Sequence, residues 1–190
     1  MLVVAAFVSC VVISLGSLVF SAVYVMSHSD NIYVVDHGEA FSATAYDEDK
    51  QIYDECVDHV TRFHELFFNV WPDKTSIETN VERALGMCDR SGYNYYQDLS
   101  EQGFYSRLIS ANINQYVTVD SVKVNVAAYP FKEVTYARLH VMRESNITEY
   151  AIVTSGELVR VGRSKGNPHG LMLEKFVVVS NNKVETRRRR

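Results

Sequence analysis

The sequence has few cysteines and prolines and no excess of positive charge. Three cysteines and three prolines in 190 residues argue against a disulfide-rich mini-protein and against a proline-rich disordered chain. The formal net charge of −4 excludes a strongly basic nucleic-acid-binding protein as a description of the whole chain. The length is enough for one domain with a substantial buried core.

Charge is absent from the N-terminal part of the chain. Residues 1–29 contain no Asp, Glu, Lys or Arg, and a bilayer span needs roughly 20 apolar residues. A cleaved signal peptide would begin with basic residues and have a shorter apolar core. A lipoprotein attachment at Cys10 would leave only nine residues before it. We therefore predict a transmembrane helix over residues 1–27, in contact with the lipid bilayer.

Small residues recur along this segment at helical spacing. Intervals of four, four, three and four residues place them on one helix face: Ala6, Cys10, Ser14, Ser17 and Ser21. Small side chains let a second helix approach closely, and serine hydroxyls can donate hydrogen bonds across the contact. We predict a helix-packing face here; the alternative is that a membrane span simply tolerates serine and alanine.

The segment after the span is acidic. Nine carboxylates lie between Asp30 and Asp58, against the single Lys50. The positive-inside rule gives no orientation, because no Lys or Arg lies close to either end of the span. An acidic stretch would be repelled by the anionic cytoplasmic leaflet, which favours a body on the outer side. Residues 28–46 are expected to form a juxtamembrane linker, in which the β-prone run from Ile32 to Val35 suits either linker or a short edge strand.

The first half of the body has helical patterning. Apolar residues recur at helical spacing through residues 47–70, and Trp71-Pro72 ends that helix. Thr75-x-x-Glu78 predicts a capping box at the start of a second helix, which Ser91-Gly92 would end. Two short helices are expected over residues 93–100 and 104–110.

The second half has strand patterning. β-branched and aromatic residues predict four successive strands, over residues 117–126, 133–143, 148–160 and 171–180. Short connections between them favour an antiparallel meander. Helices followed by strands predict an α+β domain, with helices on one face of the sheet, over residues 47–181. Residues 182–190 are expected to form a polar and basic tail.

Sequence motifs of known chemistry are absent. The chain has no Gly-rich phosphate loop, GxSxG elbow, HExxH or CxxC. His59 and His64 are five residues apart, so they point in different directions and are expected to be partly exposed rather than a metal pair. Cys56 and Cys88 are expected to be buried free thiols, and a disulfide between them stays open. We predict no catalytic, cofactor-binding or metal-binding residue.

Four tyrosines lie close together where the helical half gives way to the strands: Tyr93, Tyr95, Tyr96 and Tyr105. Tyrosine combines apolar area with a polar tip and is common both in packed joints and in protein interfaces. Both interpretations stay open, and we take these residues as the candidate protein interface. Basic residues between Arg138 and Lys165 are expected to lie on a solvated face, and we expect no direct contact with DNA.

Several short blocks, in order along the chain, resemble the TraK family of Bacteroides-type conjugative transposons. They include Arg62–Phe68, Tyr93–Tyr96, Asn112–Gln115, Val119–Val122 and Arg143–Asn146. The resemblance runs from about Ile32 to Val179. Members of that family usually carry a basic cytoplasmic segment before the span, whereas this chain begins inside it.

The resemblance implies a single-pass inner-membrane component of a conjugative type IV secretion apparatus, comparable to the eighth component of VirB-type systems. It implies a periplasmic body with the cone-like fold of nuclear transport factor two, in which helices pack on a curved four-stranded antiparallel sheet. The implied work is non-enzymatic assembly, by self-association and by contacts with other channel proteins of the inner membrane and periplasm. The alternative is a membrane-anchored small-ligand-binding or isomerase-like domain, which would need an acid–base pair such as His140 and a carboxylate in a deep cavity.

Overall fold

The chain divides into two compact units, residues 1–47 and residues 48–190. The structure, a computed structural model, describes residues 13–21, 23–24, 31–36, 39–44 and 48–188. In the first unit, strand β1 (Asn31–Asp36) pairs antiparallel with strand β2 (Glu39–Thr44). The region expected to be a linker with one short edge strand therefore contains a two-stranded sheet.

The predicted membrane segment is described in part. Residues 13–21 and 23–24 are helical and exposed, and the Ser17 hydroxyl donates a hydrogen bond to the Ser14 carbonyl oxygen at 2.9 Å. Ser21 belongs to the same helical stretch, whereas Ala6 and Cys10 lie outside the described residues. Within the part of the chain that the structure describes, no helix has both the length and the apolar character needed to cross a membrane. The helix-packing face stays a prediction.

The second unit has four helices followed by four strands. They are α1 (Glu48–Phe68), α2 (Lys74–Leu85), α3 (Arg90–Glu101), α4 (Phe104–Ser110), β3 (Asn114–Asn125), β4 (Phe131–Met142), β5 (Asn146–Arg160) and β6 (Leu171–Arg188). The strands form one antiparallel sheet in the order β3-β4-β5-β6. The predicted α+β class and the four-stranded antiparallel sheet are confirmed.

The predicted start of the second helix is wrong by two residues. Asp73 is the N-cap residue of α2, and its carboxylate accepts a hydrogen bond from the Ser76 backbone N–H at 2.7 Å. An Asp carboxylate satisfies an otherwise unpaired N–H of the first turn as well as a threonine hydroxyl does. The Thr75-x-x-Glu78 pattern therefore lies inside the helix.

The predicted end of the second helix is also wrong. The helix ends at Leu85, and Ser91-Gly92 belongs to the first turn of α3. The Asp89 carboxylate caps that helix by accepting from the Ser91 backbone N–H at 2.8 Å. A Cβ atom on Gly92 would lie 2.8 Å from the Cys88 sulfur. The glycine therefore permits close packing, rather than breaking a helix.

Strand β6 continues beyond its predicted end. It reaches Arg188 by pairing with the beginning of β5, where Asn146 lies opposite Arg188 and Tyr150 opposite Lys183. Residues 182–190 were expected to form a polar and basic tail, and Asn and Lys have low strand propensity. Cross-strand pairing overrides such propensities, and the side chains of this extension are exposed.

The main core lies between α1 and one face of the sheet, which we call the inner face. The apolar stripe predicted for α1 is confirmed, since Cys56, Val60, Phe63 and Phe67 are all at most 1% exposed. Ile52, the first residue of that stripe, is half-buried against the same cluster. These residues recur every three or four positions and so share one side of the helix. The sheet contributes the other half of this cluster: Val117, Val122, Phe131, Ala137, Leu139, Ile152, Leu158, Leu171, Leu173 and Phe176.

Candidate functional site

Aromatic rings fill the space between α1, α3 and the inner face. Phe176 of β6 packs its ring 5.0 Å from that of Phe63 and 5.8 Å from that of Tyr95, measured between centroids. Phe67 lies between them, 5.5 Å from Phe63 and 5.8 Å from Tyr95. Such tilted and edge-on pairs add packing energy beyond the area they bury. This part of the interior is therefore filled by the protein's own side chains.

A short line of polar groups crosses this apolar interior. The Thr135 hydroxyl donates to Glu133 Oε2 at 2.7 Å, and Thr135 lies directly opposite Thr154 on the neighbouring strand. The Thr154 hydroxyl in turn hydrogen-bonds with His64 Nε2 at 2.7 Å. All four side chains are at most 1% exposed. The line therefore links the sheet to α1 through groups that water does not reach.

Burial disfavours the charged form of both ionisable groups of this line. Desolvation lowers the pKa of His64 to about 4. Its Nδ1 lies 2.7 Å from the Val60 carbonyl oxygen, which can only accept, so Nδ1 carries the proton and Nε2 accepts from Thr154. Desolvation also raises the pKa of Glu133 to about 7, against a smaller lowering effect from the Thr135 hydrogen bond. Glu133 Oε1 has no hydrogen-bond partner.

His140 does not join this line. It lies on β4 seven residues after Glu133, and an odd separation places the two side chains on opposite faces of the sheet. On the outer face, the His140 ring stacks on Tyr116 with centroids 4.4 Å apart, and its Nδ1 lies 3.5 Å from Glu149 Oε2. His140 and the Glu149 carboxylate come together on the outer face of the sheet, and not in the interior between the helices and the inner face. This placement disfavours that alternative.

The two helix histidines are buried, so the prediction of partial exposure is wrong. His59 is 1% exposed and His64 is 0% exposed. His59 Nε2 lies 3.0 Å from the Met87 carbonyl oxygen, and burial lowers the pKa of this imidazole. The histidines have different partners and so do not face a common ligand. Among the described residues, no group of three or more His, Cys, Asp or Glu side chains is arranged to hold a metal ion.

The cysteines of the body are free and buried, as expected. Cys56 and Cys88 do not form a disulfide. Desolvation raises the pKa of Cys56 to about 12 and that of Cys88 to about 11. Both thiols therefore stay protonated at neutral pH, and neither is an activated nucleophile.

The four tyrosines of the candidate interface divide into packed and exposed members. Tyr105 is 8% exposed and its ring lies 5.4 Å from that of Tyr96, while Tyr95 packs on Phe67. Tyr93 is 48% exposed. Three of the four thus help to join α3 and α4 to the core, and Tyr93 alone of the four has an exposed side chain. An interface at these residues stays a prediction.

The basic residues between Arg138 and Lys165 do not form one cationic cluster. Arg138 binds both oxygens of Asp120, and Arg163 lies 3.1 Å from Glu55. Arg160 lies over the ring of Phe131 at 5.7 Å from its centroid. Local partners occupy these cations, in accord with the expected solvated face.

Comparisons with known proteins give a structural likeness only. No protein-family model and no curated protein matches the chain. The soluble domain of TrwG Type IV secretion machinery from Bartonella grahamii is similar, with a TM-score of 0.54 and 14% identity. The match covers 74% of this chain and 97% of that one. The two share a fold. CagV, a VirB8 homolog of a type IV secretion system from Helicobacter pylori, aligns over 70% of this chain and 99% of its own with 12% identity and a TM-score of 0.45.

Sequence reasoning did not find Glu133 as a special residue. The sequence nevertheless indicates its burial, because residues of β4 point alternately to the two faces of the sheet. Glu133 falls on the same face as Phe131, Thr135 and Ala137. A carboxylate in such a series is predicted to be buried. The partner on α1, His64, could not be found in this way, because ninety residues separate it from Thr154.

Proposed function

We propose that this protein is a non-enzymatic assembly component of a type IV secretion apparatus. The observation that supports this most is the fold shared with the TrwG soluble domain, which belongs to type IV secretion machinery. The aromatic filling around Phe176 is a second support, because the protein's own rings occupy the space between α1, α3 and the inner face, where the ligand-binding alternative would need a cavity. A fold alone does not specify a function, and the two observations together favour assembly over chemistry.

The finer parts of the proposal come from the sequence. The charge-free residues 1–29 suit a single-pass inner-membrane anchor, and the acidic stretch after them suits a periplasmic body. The blocks that resemble the TraK family favour a conjugative apparatus that transfers DNA. In this proposal the domain associates with itself and with other channel proteins.

A membrane anchor would make weak contacts effective. Confinement to the bilayer plane raises the effective concentration of the body for its neighbours, so individually weak interfaces combine into stable assembly. No reaction step and no bound cofactor is needed for this role.

Cross-linking in membranes tests the proposal. Cells that carry the whole transfer system would be treated with an amine-reactive cross-linker, and the cross-linked peptides identified by mass spectrometry. We expect cross-links from the body to a second copy and to several other channel proteins. Cross-links within single copies only, in cells where transfer is active, would contradict the proposal.

The helix-packing face provides a separate prediction. Replacing Ser17 and Ser21 with leucine should weaken self-association in membranes, because bulky side chains keep a second helix from approaching closely. Replacing Val19 and Val23 with leucine is the matched control, since these residues lie on other faces of the same helix. Equal cross-linking of both variants and the unaltered protein would contradict the role of this face.

A further inference from the structure

A long surface groove lies where α1, α2 and the turn Ser164–Asn167 meet. It consists of two depressions of about 440 and 400 Å³ that share Arg62, Leu66 and Arg83. Because they share these residues, the two depressions adjoin, and we call them together the groove. One end reaches Trp71 and the other reaches the turn.

Three cations line the groove, each from a different element. Arg62 comes from α1, Arg83 from the last turn of α2, and Lys165 from the turn. All three are exposed, and among the described residues none of them forms an ion pair. They differ in this respect from Arg138 and Arg163, whose charges are matched by carboxylates of the body.

Two carboxylates also line the groove, and one of them has a partner. Asp58 Oδ2 lies 2.7 Å from His169 Nε2, whereas Glu65 has no cation within ion-pair distance among the described residues. The groove therefore has three cations and two carboxylates, with the charges interspersed. It has a positive surplus but not a uniform positive surface.

The turn holds Lys165 in a fixed position. Ser164 and Asn167 exchange backbone hydrogen bonds of 3.0 and 3.1 Å across it. Asn167 is 7% exposed, and its side-chain amide donates to the Leu171 carbonyl oxygen at 2.6 Å. The backbone that carries Lys165 is therefore anchored to the start of β6. The backbone position of Lys165 at the groove is thus set before any partner binds.

The opposite end of the groove offers an aromatic surface. Trp71 is the single tryptophan of the chain, and 57% of it is exposed. A large exposed aromatic ring beside polar groups is typical of an anchor point in a protein interface. Between the two ends, the half-buried Leu66 supplies apolar surface.

We propose that this groove binds an extended acidic segment of a partner protein, with carboxylates against Arg62, Arg83 and Lys165 and an apolar side chain against Trp71. Carboxylates form strong charge-assisted hydrogen bonds with guanidinium groups. We favour a protein over a nucleic acid as the ligand. A protein segment can place its carboxylates opposite the cations and neutral residues opposite Asp58 and Glu65, whereas these two carboxylates would repel the uniformly charged backbone of a nucleic acid. The inference rests on the proposed assembly function, because it describes the chemistry of one channel partner.

Tryptophan fluorescence tests the proposal with the full chain in detergent micelles. The probe is a short synthetic peptide in which glutamate alternates with leucine, and its twin has glutamine in place of every glutamate. Because Trp71 is the only tryptophan, its emission reports on the groove. We expect the glutamate peptide to shift the emission to the blue in a saturable manner and to protect the ring from acrylamide quenching.

Charge reversal of the groove gives the decisive comparison. The triple variant Arg62→Glu, Arg83→Glu and Lys165→Glu should weaken peptide binding at least about tenfold. The matched control is Arg90→Glu, Lys132→Glu and Lys183→Glu, which changes the net charge equally at exposed sites outside the groove. This control variant should bind the glutamate peptide as the unaltered protein does.

Five outcomes would overturn the proposal, and four of them concern the binding measurements. These four are the absence of saturable binding, equal binding of the glutamine twin, equal loss in the control variant, and tighter binding of single-stranded oligothymidine that the groove variant abolishes. Self-association of the full chain that is lost in the groove variant would instead assign the groove to a second copy and also overturn it. Membrane cross-linking to several channel proteins would survive each of these results, so failure here and failure of the assembly function are distinguishable.

Discussion

Glu133 is predicted to make the body less stable as pH rises, and Glu133→Gln should remove that dependence. The carboxyl group is 1% exposed and accepts one hydrogen bond, from Thr135. Desolvation raises its pKa from 4.5 to about 7 in the folded protein. The folded state therefore holds a proton in the pH range where the unfolded chain has released it.

The sign and the size follow from proton linkage. Between pH 4.5 and about pH 7 the folded state binds more protons than the unfolded state, so the free energy of unfolding falls as pH rises through this window. A shift of this size corresponds to a loss of about 3 kcal/mol, at 1.36 kcal/mol for each pH unit. The loss is complete once the pH lies well above the folded-state pKa of about 7, and stability then no longer depends on this group.

The histidine on the same polar line acts in the opposite sense. Burial lowers the pKa of His64 from 6.5 to about 4, so the unfolded chain gains a proton first. The contribution of neutral His64 to the free energy of unfolding is therefore complete above pH 6.5 and is lost as pH falls toward 4. The pH profile of the unaltered protein therefore combines two opposing trends, and substitution of Glu133 separates them.

The assay is urea unfolding of the full chain in mild detergent, followed by Trp71 fluorescence at about pH 5 and about pH 8. Glu133→Gln adds an amide N–H where Oε1 has no partner, which costs about 1–3 kcal/mol at every pH. The informative quantity is therefore the difference in unfolding free energy between the variant and the unaltered protein, compared at the two pH values. We expect the unfolding free energy of the variant to rise by about 2–3 kcal/mol, relative to that of the unaltered protein, from the lower pH to the higher. A difference that stays constant with pH would refute the reasoning.

Two further substitutions test the packing around this line. Gly156→Ala should destabilise the body by about 1–3 kcal/mol. The added Cβ would lie 2.7 Å from a Leu173 methyl carbon and 3.0 Å from the Glu174 carbonyl oxygen. The control in the same unfolding assay is Gly166→Ala, because a Cβ at Gly166 would have no atom within 4 Å. Phe176→Ala should lower the free energy of unfolding by about 3–5 kcal/mol, since the ring contacts Phe63, Phe67 and Tyr95. Val177→Ala, at an exposed neighbour, should have little effect, and equal losses in the two variants would contradict the account of the core.

Elements with a strong periodic pattern could be predicted from the sequence. The stripe from Cys56 to Phe67 repeats at helical spacing and is buried on one side of α1. Its burial follows from the pattern, because only one side of that helix faces the sheet. The alternation in β4 similarly predicts which residues face the core.

Features set by contacts between distant residues could not be predicted. Residues 182–188 look like a tail but are held as strand by the beginning of β5. His64 looks like a surface histidine until its partner Thr154 is known. In each case the deciding neighbour lies elsewhere in the chain or on another element, where local propensity has no information about it.

The same distant contacts bear on the choice between assembly and chemistry. An acid–base site needs two groups that exchange protons with a substrate near neutral pH. Glu133 and His64 are both deeply buried, yet the two threonines of the polar line lie between them, and His64 has its Nδ1 proton committed to the Val60 carbonyl oxygen. The space beside them is filled by the rings of Phe63 and Phe176. The hydrogen bond between His64 and Thr154 therefore joins α1 to the sheet, in accord with the proposed assembly role.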